Sequence, residues 1–172
     1  MKKILTIILL SWATIGAANA QRPDPDTTAR HFLIMASIGN LQEVNSGQLA
    51  ADKASRQDVK QFGQMMAMDH ANAEKKLMQL ARSRGFNLPA TAIETPPTNL
   101  KLNNASGDEF DRMYIHAMVT GHRNTVMMFQ NYAIVGKDPD VKAFAQQMLP
   151  TLKMHLSEIK KLDEKYKDLS AK

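Results

Sequence analysis

The feature that most constrains this chain is the run from Val59 to Leu80. Val59, Phe62, Met66, Ala73, Leu77 and Leu80 recur at helical spacing and form one apolar stripe. His70 falls inside that stripe, four residues after Met66 and seven before Leu77. An ionisable imidazole on a buried helix face needs a hydrogen-bond partner or a metal. The rest of the chain must supply one or the other.

The flanking residues bound this helix at about 56–84. Ser55 with Asp58 three residues on reads as a capping box, and Gly85 as a C-terminal stop. Upstream, Asp26, Thr27 or Thr28 caps a helix at about 28–53. Phe32, Ala36, Gly39, Glu43, Ser46, Gly47 and Ala50 share one of its sides. Most are small, which lets a neighbouring helix approach closely. Glu43 lies on the heptad line between Ala36 and Ala50, so it points along a packing seam. The connection to the next helix is only a few residues, which makes the two antiparallel neighbours.

Residues 86–106 carry Pro89, Pro96 and Pro97 among several Asn and Thr, and read as a long irregular crossover. Ser106-Gly107-Asp108-Glu109 then reads as a capping box for a helix at about 107–135. Its inner face is expected to hold Phe110, Met113, Tyr114, Ala117, Met118, Gly121, Thr125, Met128 and Tyr132. His122 lies on the border of that face, and His116 points to solvent. Gly136 ends this helix. Asp138-Pro139 starts the last one, at about 139–168, whose stripe runs Val141, Phe144, Met148, Leu152, His155, Ile159, Leu162 and Tyr166. Pro150 should kink or split it. The fold class is therefore all-α: four helices in two antiparallel hairpins joined by a long crossover, as one domain over 28–168.

Ahead of the bundle, Lys2 and Lys3, the apolar run from Ile4 to Leu10 and Ala18-Asn19-Ala20 read as a signal peptide over 1–20, cleaved after Ala20. An extended leader at 21–27 follows. This predicts a periplasmic protein with no membrane span in the mature chain. The chain has no cysteine, which excludes disulfides, a lipid-anchored N-terminus and thiolate metal sites. Its net charge of +5 drops to +3 without Lys2 and Lys3. That weak, interspersed charge excludes nucleic acid as a partner. No phosphate loop or nucleophile motif is present.

Four polar residues thus fall on or beside packing faces, one per helix: Glu43, His70, His122 and His155. At 1.5 Å per residue from the first interhelix turn, Glu43 stands about 18 Å away and His70 about 22 Å. From the second turn, His122 stands about 22 Å away and His155 about 27 Å. Each pair agrees within about one helical turn. Imidazoles with a carboxylate suit Zn, Fe, Mn or Cu, and bundle cores commonly house such sites. Asp69, Glu74 and Glu158 are candidates for supporting ligands, with His70–Glu74 and His155–Glu158 each sharing a helix face. A buried polar network with no ion is the alternative. Eleven of the twelve methionines follow Ala20. They suit core filling better than Cu(I) binding.

The segments "GNLQEVNSGQLA", "MAMDHANAEKKL", "FDRMYIHAMVTGHRNTVMMF" and "LPTLKMHL" together resemble the bacterial exported family catalogued as domain of unknown function 4142. The resemblance spans about residues 32–162. It implies a ferritin-like four-helix bundle with the same four polar positions, and no established activity. The chain lacks the Glu-x-x-His of di-iron bundles; the nearest pattern is the reversed His155-x-x-Glu158. A mononuclear site is therefore expected, serving metal buffering, sensing or sequestration. An envelope stress or interaction protein with a structural polar layer is the alternative, and an oxidase-like enzyme a third reading.

Overall fold

The computed structural model describes residues 27–88 and 97–167. The expected signal peptide, most of the leader, the middle of the crossover and residue 168 lie outside the described residues. Five helices are present: α1 (Thr27–Lys53), α2 (Gln57–Ser83), α3 (Pro97–Asn104), α4 (Gly107–Val135) and α5 (Pro139–Tyr166). No strand occurs among the described residues.

α1 packs mainly on α2, and α4 on α5, so the chain forms two antiparallel hairpins. Across the hairpins, α1 meets α4 and α2 meets α5. Phe86 belongs to the core at one end of the bundle and Leu102 to the core at the other. The described ends of the connection thus lie toward opposite ends of the bundle, as in one-crossover bundles. Its second part is not irregular. Pro97 occupies the first position of α3, where its missing N–H costs nothing, and Leu102 and Ala105 are buried.

The small residues of α1 do what their size allows. A Cβ on Gly47 would lie 2.6 Å from the Gly63 carbonyl, and one on Gly63 would lie 2.7 Å from the Gly47 carbonyl. The α1 and α2 backbones touch there, and only glycine fits.

The helix ends differ in part from expectation. α2 closes as expected: Gly85 takes φ 72, Phe86 N–H bonds to Ala81 C=O and Gly85 N–H to Arg82 C=O. Asp138 caps α5 by accepting from the N–H of Asp140 and Val141. Ser55, however, does not cap α2. Its N–H and hydroxyl, with Arg56 N–H, bind the carboxylate of Asp111 on α4, a group that is 1% exposed. Asp58 is taken by Lys165 and Tyr166 on α5. Ser106 likewise makes no side-chain cap. Pro150 does not split α5. It sits on the exposed side, where water can satisfy the carbonyl left without a donor.

The buried face of α4 is rotated from the expected one. Ile115, Val119, His122, Val126 and Phe129 are buried, while Met113, Ala117, Gly121, Thr125 and Met128 are only partly so. His122 thereby moves from the border to the interior, at 1% exposure. His116 is exposed, as expected.

The core is divided in two. One apolar cluster gathers around Phe32, Phe129 and Phe144, the other around Phe62, Phe110 and Tyr114. The layer between them is polar.

Candidate metal centre

His70 comes from α2, His122 from α4 and His155 from α5. Their ring centroids form a near-equilateral triangle of 5.7, 5.4 and 5.5 Å. Each is 4% exposed or less. One nitrogen from each imidazole lies within 4.8 Å of the other two. An ion at about 2.1 Å from each nitrogen would hold tetrahedral ligands about 3.4 Å apart, so binding requires at most a modest inward closure.

The protonation pattern follows from the partners. Asn40 donates its amide N–H to Glu74 Oε2 at 3.1 Å, which turns its carbonyl oxygen toward His70 Nδ1 at 3.0 Å. His70 therefore carries its proton on Nδ1. His122 Nδ1 lies 3.1 Å from the Met118 carbonyl, which can only accept. His155 Nε2 lies 2.9 Å from Asp69 Oδ2. In every ring one nitrogen donates outward. The other three nitrogens, His70 Nε2, His122 Nε2 and His155 Nδ1, are buried and have no protein partner. This is the pattern of imidazoles oriented as ligands: an outer acceptor fixes the tautomer and leaves a lone pair inside.

Burial keeps the rings neutral. It pushes His70 down to about 3, aided by His122 and His155, and His122 down to about 4, aided by His155. His155 is also lowered by burial, against the opposing pull of Asp69. Neutral imidazole is the form that ligates.

Glu43, the fourth expected ligand, is at the layer but not in the triad. Its Oε1 lies 3.8 Å from His122 Nδ1, on the side away from the free Nε2. Its Oε2 has no protein partner. Burial raises its carboxyl to about 8, although 14% of the side chain stays exposed. The buried Tyr114 is raised too, by burial and by Glu43.

Of the three supporting carboxylates expected, two are present in altered roles. Asp69 supports His155 across the α2–α5 interface, not its own neighbour His70. Glu74 reaches His70 only through Asn40, and also accepts from Ser37 at 2.6 Å. Glu158 is not in the site. It is 42% exposed and pairs with Lys161, because its position three residues after His155 turns it outward. Asn40, Ser37 and the Met118 carbonyl were not foreseen. Asn40 and Ser37 are three apart on α1 and both buried, a polar pair on a packing face that marks the layer in retrospect.

A cavity of about 40 Å³ adjoins the triad and is lined in part by His70, His155, Asn40, Glu43 and Asp69. No helix among the described residues is long and apolar enough to cross a membrane.

Several solved structures share the fold. The DUF305 protein of Streptomyces coelicolor matches with TM-score 0.69 at 16% identity, covering 80% of this chain and 93% of that one. A DUF305 fragment from Deinococcus radiodurans matches with TM-score 0.70 at 11% identity, covering 81% and 97%. CopM in its Cu(I)-bound form matches with TM-score 0.67 at 18% identity, covering 80% and 96%. No curated protein matches in sequence. The family model for a domain of unknown function, DUF4142, matches residues 15–162, and the chain belongs to that family.

Proposed function

We propose that this protein binds one transition-metal ion through His70 Nε2, His122 Nε2 and His155 Nδ1, and buffers or sequesters it in the compartment to which the chain is exported. The observation that carries this reading is the set of three buried nitrogens without a protein partner, each on a ring whose other nitrogen is already committed, in a triad with one nitrogen of each ring within 4.8 Å of the others. Three buried lone pairs without a donor are costly unless an ion fills the site. Imidazole sets suit Zn, Cu and Fe better than Mg or Ca. CopM, similar in fold, is described in Cu(I)-, Cu(II)- and Ag-bound forms, which makes copper a candidate beside Zn, Fe and Mn.

Glu43 stands beside the triad as the carboxylate that offsets part of the ion's charge or turns in as a fourth ligand. The apolar N-terminal run with Ala18-Asn19-Ala20 supports export to the periplasm.

The test is metal content of protein purified without a histidine tag. The reading expects close to one equivalent after loading, with affinity sharply lowered in His70→Ala, His122→Ala and His155→Ala. A structural polar layer, as in an envelope interaction protein, expects no stoichiometric metal.

A further inference from the structure

The cavity beside the triad has an unusual lining. Met35 on α1, Met128 on α4 and Met148 on α5 contribute to its wall, together with His70 and His155. Met35 is 42% exposed, so the cavity reaches the surface at that side chain. Gly39 lines it too, and a Cβ there would meet nothing within 4 Å, so the space persists partly because this position has no side chain. Its free space admits an ion with a water or two.

We propose that Met35, Met128 and Met148 form a thioether antechamber that takes a soft monovalent cation of the Cu(I) and Ag(I) class and passes it to His70 and His155. Much of the remaining wall is apolar, from residues such as Phe129, Phe144 and Leu152. Oxygen groups line it too, but the Asn40 carbonyl is taken by His70 and Asp69 Oδ2 by His155, which leaves a strongly hydrated divalent ion chiefly Glu43, Thr125 and Thr151 to replace its water. A soft ion exchanges its ligands for neutral, polarizable thioethers at little cost. Three helices each contribute one methionine to the wall, next to the imidazoles of His70 and His155 in the same cavity. The exposed Met68, Met127 and Met154 do not line the cavity and serve as internal controls. The inference rests on the triad reading for the ion's destination, but not for its point of entry.

The test is methyl NMR of the protein labelled with 13C-methyl methionine and 15N-histidine, titrated with Ag(I), which does not change oxidation state. Shifts of the Met35, Met128 and Met148 methyls within the first equivalent, with Ag(I) affinity lowered at least tenfold in the volume-conserving triple variant Met35→Leu, Met128→Leu, Met148→Leu, support the antechamber. Shifts confined to Met68, Met127 and Met154, or no methyl shift, overturn it. The imidazole 15N signals report separately on the triad. If they stay unmoved while the three cavity methyls shift, the thioether site stands and the triad reading fails.

Discussion

Asn40 holds His70 from the neighbouring helix: its carbonyl oxygen accepts from His70 Nδ1 at 3.0 Å while its amide nitrogen is tied to Glu74. One side chain thus converts a buried carboxylate into a fixed imidazole tautomer. Removing it with Asn40→Ala frees the His70 ring to turn and leaves Glu74 Oε2 without its donor, while Ser37 still binds Oε1. Metal affinity should fall about 10–100-fold, the usual cost of losing such an outer partner. Competition against a chromophoric chelator measures it. Asp69→Ala, which releases His155, should act in the same range.

Stability of the metal-free protein should depend on pH through the same layer. The folded-state values of His70 and His122 lie at about 3 and 4, below the ordinary 6.5. Between those values the unfolded chain binds protons that the folded chain does not, so stability is lost as pH falls below about 6.5. At pH 5 each such imidazole costs about 2 kcal/mol relative to neutral pH. Glu43, raised from 4.5 to about 8, acts with the opposite sign: the folded chain keeps its proton, and stability declines as pH rises from 4.5 to 8. The imidazoles outnumber it, so the optimum should lie near neutrality. Denaturant melts between pH 4.5 and 8.5 test this, and saturating metal should flatten the upper part of the profile.

The two glycines of α1 should respond oppositely to alanine. Gly39 has open space beside it, so Gly39→Ala should raise stability by about 0.5–1 kcal/mol through helix propensity alone. Gly47 abuts the Gly63 carbonyl, so Gly47→Ala must push α1 from α2 and should cost about 1–3 kcal/mol. Chemical denaturation of both variants distinguishes the two.

Asp111 ties the start of α4 to the turn between α1 and α2. Asp111→Ala leaves the N–H groups of Ser55 and Arg56 without their acceptor. A loss of about 2–4 kcal/mol should follow, with metal binding by the folded protein unchanged.

Much of this architecture is legible in the sequence. The stripes around His70 and His155 mark two long helices, and counting residues from the turns pairs Glu43 with His70 and His122 with His155 to within about one helical turn, while the match between the two hairpins needs the crossover geometry. What failed was what depends on neighbours. Ser55 has the spacing of a cap, but Asp111 arrives from α4 and takes its donors. His122 was assigned to a border because the methionines and small residues of α4 gave a face rotated from the one that Ile115, Val126 and Phe129 bury. Glu158 shares a helix with His155, yet the partner of His155 is Asp69, from across an interface that periodicity cannot see. Asn40 lies outside the seam that the α1 pattern marks, and its role depends on His70 and Glu74 of α2. α3 was signalled only by Pro97 and Leu102 in a segment dominated by turn formers.

The central claim is that three imidazoles share one ion. X-ray absorption of the metal-loaded protein, purified without a tag, counts them directly. The account predicts a first shell with three imidazole nitrogens at about 2.0–2.1 Å for a divalent ion, falling to two in His122→Ala. A first shell with one imidazole or none, unchanged in His70→Ala, His122→Ala and His155→Ala, would contradict it.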